Sequence, residues 1–211
     1  KLKFLFQIIA AKIIVDQGIL IDDLNGIFGI FEIPYILAQP LTILFIVTIV
    51  NSFNFTDGID GLALFELIKF SFLIFFLSSN ILSSFNFLLV IVVSVSFLLL
   101  YFNFRNQNKV FLGDGGSLFL GGLISIVIIS LINDTSNEYN ALFTLLIVYL
   151  YPLIDLLQVV FIRTLKGKSP FKADKNHIHH LFLQIGMRQP IVSSAICITF
   201  LILQLIILIV A

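Results

Sequence analysis

Cysteine occurs once, at Cys197 inside an apolar run, which excludes an intrachain disulfide and leaves no basis for a thiolate metal site. Charge is nearly as scarce. Only 11% of the 211 residues are charged, and 12 cations cancel 12 anions, so no basic footprint for nucleic acid remains. No initiator methionine precedes Lys1, and the apolar run behind it lacks the small-residue cleavage site of a signal peptide, so the sequence is expected to begin inside a longer protein. What fills the chain instead is hydrocarbon. Apolar residues make up 59%, there are 24 Phe, and the mean hydropathy is +1.12. That composition lies far outside the soluble range and reads as a membrane protein.

Seven apolar stretches can be marked, roughly residues 2–15, 35–53, 62–80, 86–103, 117–133, 141–162 and 191–210. Most approach the ~20 residues that a spanning helix needs. They are continuously apolar rather than alternating, which excludes barrel strands and leaves helices. The first is short, as a tilted or trimmed helix would be. Pro34, Pro40 and Pro152 lie near or within spans, where a kink is tolerated if neighbours satisfy the freed carbonyl. With no internal repeat and no low-complexity linker, the expectation is one all-α domain over residues 1–211, a polytopic transmembrane helical bundle of about seven spans.

The loops differ in sign. Lys1, Lys3, Arg105, Lys109, Arg163, Lys166, Lys168, Lys172, Lys175 and Arg188 fall in alternate loops, whereas residues 16–34, 78–86 and 134–140 hold Asp16, Asp22, Asp23, Glu32, Asp134 and Glu138 and no Lys or Arg. The positive-inside rule then places the basic loops in the cytoplasm, together with the loop at 54–61.

Three polar constellations share that face. In the first, Asn51, Asn54, Asp57 and Asp60 recur every third position at the end of an apolar run. Three such steps rotate a helix by about 180°, so Asn51 and Asp60 cannot point the same way, and Gly58 and Gly61 suggest that the helix loosens there. Capping accounts for one or two such groups, not four. Asp57 and Asp60, aided by Asn54, suit a divalent cation or a cationic or hydroxyl-bearing ligand, and oxygen-only ligands favour Mg²⁺ over zinc. In the second, Gly113-Asp-Gly-Gly-Ser117 stands directly before a helix, so its N–H groups can meet phosphate while Asp114 holds a metal that bridges to it. A glycine-rich turn capped by Asp114 or Ser117 is the plainer account. The Gly-x4-Gly-Lys-Ser spacing of a Walker A loop is absent. In the third, His177, His179 and His180, all the histidines of the chain, follow five cations between residues 163 and 175. His-Glu-x-x-His is absent, so an anionic ligand is a better inference than zinc, the alternative being an ordinary basic loop against anionic lipid. Carboxylates for Mg²⁺, a glycine turn for phosphate and a basic histidine loop together indicate metal-assisted phosphoryl transfer at the membrane surface.

These stretches, in this order over residues 51–180, resemble the Asn-x-x-Asn-x-x-Asp-Gly-x-Asp-Gly-Leu, Gly-Asp-x-Gly-Ser and His-Ile-His-His signatures of the polyprenyl-phosphate N-acetylhexosamine-1-phosphate transferases, the glycosyltransferase 4 family. That family includes the enzymes that start enterobacterial common antigen, teichoic acid and O-antigen synthesis. The resemblance implies transfer of a sugar 1-phosphate from a UDP-N-acetylhexosamine to undecaprenyl phosphate, with Mg²⁺ (Mn²⁺ as an alternative) and release of UMP, at the cytoplasmic face of the bacterial inner membrane. It implies Asp114 as the first Mg²⁺ ligand with Asn54 beside it, and Asp57 and Asp60 lining the same cleft. Asn51, Gly113 and Gly115 would contact substrate. His177, His179 and His180 would engage the diphosphate, with Lys166, Lys168 and Lys172 as weaker electrostatic contributors. The His-Ile-His-His form points to the N-acetylglucosamine branch. The family also carries an Asp-Asp pair at a cytoplasmic helix end. Asp22 and Asp23 lie on the acidic, opposite side, so that pair is expected upstream of Lys1, and the 211-residue chain alone is expected to be inactive or nearly so. Homodimerisation is left open. A rival from another class is a divalent-cation transporter with Asp57, Asp60, Asp114 and Asp155 along its path, which would require carboxylates at several depths rather than at one face.

Overall fold

The computed structural model describes residues 2–27, 29–77, 83–105, 107–134, 139–167 and 177–210. Without water to satisfy them, backbone N–H and C=O groups must bond within their own segment, and the apolar runs accordingly form helices. In chain order these are α1 (Leu2–Asp16), α2 (Tyr35–Thr56), α3 (Leu62–Leu77), α4 (Ser83–Asn103), α5 (Gly113–Ile132), α6 (Ala141–Leu165), the short α7 (Ile178–Gln184) and α8 (Gln189–Val210). Large aliphatic and aromatic side chains such as Ile36, Leu44, Phe75, Phe119, Phe161 and Ile209 stay exposed around the bundle, as a lipid-facing surface requires.

Every apolar run became a helix, yet length and composition qualify four of them as spans among the described residues: α2, α5, α6 and α8. The 16 residues of α3 rise only about 24 Å, short of the ~30 Å hydrocarbon core, and α1 has 15 residues. The chain is thus a mainly helical, multi-pass membrane protein with a four-helix minimum.

The all-α expectation fits, with one small addition. The acidic loop after α1 contains a two-stranded antiparallel hairpin, β1 (Asp23–Ile27) with β2 (Ile30–Glu32). Asn25 and Gly26, both at positive φ, lie within β1, where the register shifts between Asp23 and Ile27. The hairpin closes the end of the bundle away from the basic loops. There Asn25 Nδ2 donates to the Ile132 carbonyl (2.9 Å) and Asn133 Nδ2 to the Leu20 carbonyl (2.7 Å), so side-chain amides satisfy backbone groups near both helix ends.

Helices α2 and α5 approach most closely. A methyl group at Gly121 would lie 2.9 Å from the Val50 Cα, so only hydrogen fits at that crossing. Helix α6 breaks at Tyr149 (φ −135°, ψ 31°), because Pro152 has no N–H to offer the Val148 carbonyl. The break is held by Tyr149, whose hydroxyl lies 3.1 Å from both the Ile49 carbonyl and Ser52 Oγ. Within α3, Lys69 and Glu66 form a buried pair at 2.7 Å, each charge compensated by its neighbour.

Candidate active site

The last turn of α2 lies beside the first turn of α5. Asn54 Nδ2 donates to Asp114 Oδ1 (3.1 Å) and to Ser117 Oγ (2.6 Å), and the Ser117 hydroxyl donates to the Gly113 carbonyl (2.9 Å). Lys3, from α1, places its ammonium 3.1 Å from both Asn54 Oδ1 and Asp114 Oδ2. Three helices therefore converge on one carboxylate. One turn deeper, Asn51 and Gln7 exchange amide hydrogen bonds at 3.0 and 3.2 Å, so Asn51 seals the seam between α1 and α2.

Asp57 follows the end of α2. The backbone N–H groups of Leu112 and Gly113 favour its charge, but burial and the Asp114 carboxylate outweigh them and push its pKa up to about 6. The N–H groups exposed by the glycine turn are thus partly engaged already, and Gly113, at φ +64°, is the residue that permits the turn. A side chain at Gly115 would meet open space. The capping account fails for α5: its N-cap is Leu112 with no side-chain cap, and Asp114 lies inside the first turn, where the helix dipole favours it.

Asp60 is buried and pairs with Lys109, while its backbone N–H donates to Gln189 Oε1 (3.0 Å), tying α2 to the start of α8 and to the loop before α5. Its carboxylate is held by Lys109, not by the Lys3 and Asn54 that bind Asp114.

The histidines sit against α6. Asp155 receives both His177 Nδ1–H and the Ile178 backbone N–H at 2.7 Å, fixing the start of α7. An ionised carboxylate only accepts, so the proton on His177 Nδ1 is assigned. His179 is fully buried, with Nδ1 3.2 Å from the Tyr151 hydroxyl. Burial is the main cause of its pKa falling to about 4. His177 and His179 stack at 5.4 Å, and His180 tilts against His179 at 4.4 Å. A methyl group at Gly58 would lie 3.0 Å from His179 Nε2, so the histidine cluster rests on the loop that follows α2. Lys166 is the C-cap of α6, whereas Lys168 and Lys172 lie outside the described residues.

Among the described residues, no three His, Cys, Asp or Glu side chains form a metal cage. Mg²⁺ rarely uses one: one or two carboxylates plus substrate phosphate suffice. The donors at Asp114 and Asn54 fit it, being hard oxygens that already hold a cation, the Lys3 ammonium. Both partners of that ion pair are substantially exposed (42% and 74%), and such pairs are worth only about 0–1 kcal/mol, so a dication can displace the ammonium.

Sequence reasoning gave no role to Tyr151 or Gln189 and treated Lys3 and Lys109 only as loop cations. Asp155, counted there as a step on an ion path, is a histidine partner. The missed signal was spacing: Tyr151 and Asp155 are four apart, on one helical face, inside an apolar span where a carboxylate needs a reason.

A sequence model described as "Glycosyl transferase family 4" matches residues 1–132, which include the Asn54 and Asp114 motifs. The chain belongs to glycosyl transferase family 4. Among its curated relatives in the family is a protein of Bacillus subtilis (strain 168) named "Probable undecaprenyl-phosphate N-acetylglucosaminyl 1-phosphate transferase", 33% identical over 201 residues, covering 89% of this chain and 52% of that protein. A "Decaprenyl-phosphate N-acetylglucosaminephosphotransferase" of Mycobacterium tuberculosis is 31% identical over 207 residues (87% and 51%). The "Undecaprenyl-phosphate alpha-N-acetylglucosaminyl 1-phosphate transferase" of Escherichia coli K12 is 27% identical over 173 (79% and 46%). This family 4 chain spans about half the length of the curated relatives it matches.

Proposed function

We propose that the protein transfers an N-acetylhexosamine 1-phosphate, N-acetylglucosamine 1-phosphate in the first instance, from its UDP-sugar to undecaprenyl phosphate, releasing UMP and starting a cell-envelope polysaccharide. The observation that carries this reading is the convergence of three motifs, far apart in sequence, at one end of the bundle: Asn54 and Asp57 against Gly113 and Asp114, and Gly58 against His179. The names of the relatives favour the same chemistry.

An oxygen of the lipid phosphate attacks the sugar-linked phosphorus of the UDP-sugar. The bond from that phosphorus to the oxygen bridging to the uridylyl phosphate breaks, and UMP leaves with the electron pair. A phosphate monoester has a second pKa near 6, so the nucleophile needs no strong base at neutral pH. Asp114 and Asn54 would hold Mg²⁺, or Mn²⁺; when bound, the metal neutralises the diphosphate and stabilises the departing UMP. With a metal on Asp114, the Lys3 ammonium would be free to pair with phosphate oxygens. Asp57 orders the N-terminus of α5 by accepting from Leu112 and Gly113. The His179 ring presents a donor to the diphosphate, the His177 ring, its Nδ1–H committed to Asp155, stacks beside it, and Lys166 and Lys168 add positive field. The basic loops support a site on the cytoplasmic face of the inner membrane, with about seven spans once α1, α3 and α4 cross in locally thinned lipid.

Asp114→Asn in the full-length gene product should abolish Mg²⁺-dependent UMP release while leaving the detergent-solubilised protein monodisperse and its melting temperature within a few degrees of wild type. Unchanged UMP release would remove Asp114 from the mechanism.

A further inference from the structure

His179 is the most enclosed of the three histidines. Its side chain is fully buried, and its Nε2 has no hydrogen-bond partner among the described residues. An unsatisfied buried polar nitrogen costs about 1–3 kcal/mol, so its retention calls for a reason. The other ring nitrogen supplies one. Nδ1 lies 3.2 Å from the Tyr151 hydroxyl, and Tyr151 is itself fully buried, its ring edge-on to Phe200 at 5.0 Å. Among the described residues, the His179 nitrogen is the only polar partner of that hydroxyl.

Two arrangements fit the distance. If Nδ1–H donated to the phenol, the phenol hydrogen would have no acceptor and Nε2 would be a bare acceptor facing Gly58. If the phenol donates, its hydrogen and the Nδ1 lone pair satisfy each other, and the ring proton resides on Nε2. The second arrangement leaves a single unmet group rather than two. We propose that Tyr151 is a positioning residue that holds His179 as the Nε2–H tautomer, so that one neutral N–H is aimed past Gly58 at an anionic phosphate oxygen of the sugar nucleotide.

Adjacent imidazoles are thereby set in opposite tautomers by two residues of α6 four positions apart. Asp155 fixes the proton of His177 on Nδ1, and Tyr151 fixes that of His179 on Nε2. A neutral donor suits an enclosed position because it binds an anion without burying an unpaired positive charge when the site is empty. The low pKa of His179 agrees with this assignment, since the ring is uncharged at neutral pH. Gly58 is part of the device: a methyl group there would press on Nε2 at 3.0 Å and cover the donor. The identity of the acceptor rests on the phosphoryl-transfer reading; the tautomer does not.

The test is two-bond ¹H–¹⁵N correlation spectroscopy of the full-length gene product, labelled with ¹⁵N-histidine in lipid nanodiscs at neutral pH, with His179→Gln assigning the resonances. The expected wild-type pattern is a protonated Nε2 and an unprotonated Nδ1 for His179. Tyr151→Phe should relax this to a mixture of tautomers, leave the His177 pattern unchanged as evidence of an intact fold, and lower UMP release about tenfold, as loss of one hydrogen bond would. UDP-N-acetylglucosamine should shift the His179 Nε2 resonance of the wild type. A protonated Nδ1 in wild type, which needs no variant to observe, overturns the proposal, as does a pure Nε2–H tautomer in Tyr151→Phe. No shift with UDP-N-acetylglucosamine overturns the phosphate contact. The expected tautomers without any UMP release would uphold the role of Tyr151 and reject the transferase reading.

Discussion

Enclosure gives His179 a different chemistry from an ordinary surface histidine. Desolvation by burial is the main force against the charged ring, the His180 and His177 imidazoles reinforce it, and together they outweigh the one carboxylate, Asp155, that favours the charge. The folded-state pKa near 4 lies below the ordinary 6.5, so the folded protein binds this proton less readily than the unfolded chain. Stability from the neutral ring is therefore full above about pH 6.5 and is lost as pH falls through about 4. In a ¹⁵N titration His179 should remain neutral at pH 5.5, where an unperturbed histidine is mostly protonated; a midpoint above 6 would contradict the enclosed geometry. Asp57 shows the converse, a half-buried carboxylate raised to about 6 by burial and then by Asp114. These values belong to places in the fold, and no inspection of His-Ile-His-His could have assigned them.

At the scale of elements, the site depends on how closely α2 and α5 can approach. Gly121 stands at that crossing and Asn54 with Asp114 at its end, so the gap at one governs the distance at the other. Gly121→Ala places a methyl group 2.9 Å from backbone, which cannot rotate away as a side chain could. The expected cost is about 1–3 kcal/mol, read as a lower melting temperature, together with weaker Mg²⁺ stimulation of UMP release. A melting temperature at or above wild type would show that the helices are not in contact there. Much of this architecture was legible in the sequence, because continuous apolar runs leave a chain in lipid only one way to satisfy its backbone. The runs at 35–53, 117–133, 141–162 and 191–210 became α2, α5, α6 and α8. The hairpin at Asp23–Glu32 was not legible, because its strands are only five and three residues long and Asn25-Gly26, the usual hairpin signal, lies inside β1 rather than between the strands. Within the site, the residue types were legible and their pairings were not. Periodicity predicted that Asn51 and Asp60 diverge. It could not predict that Asn51 meets Gln7, that Asp60 meets Lys109, or that Asp155 serves His177.

For the whole molecule, the account requires the Asp114 end of the bundle to face the cytoplasm and the hairpin to face outward. With Cys197 replaced by serine, cysteine at Met187, beside the histidine helix, should react with an impermeant maleimide only in inverted vesicles, and cysteine at Phe31 only in intact spheroplasts. The reverse pattern would invert the topology and separate the site from cytoplasmic nucleotide sugars. The central claim, however, is the reaction itself, and isotope transfer tests it most directly. Membranes containing the full-length gene product, supplied with UDP-N-acetyl[¹⁴C]glucosamine, undecaprenyl phosphate and Mg²⁺, should move the label into organic-extractable lipid in step with UMP release, and Asp114→Asn membranes should not. Absence of lipid-borne label with every UDP-N-acetylhexosamine offered, or equal labelling by Asp114→Asn, would contradict the account.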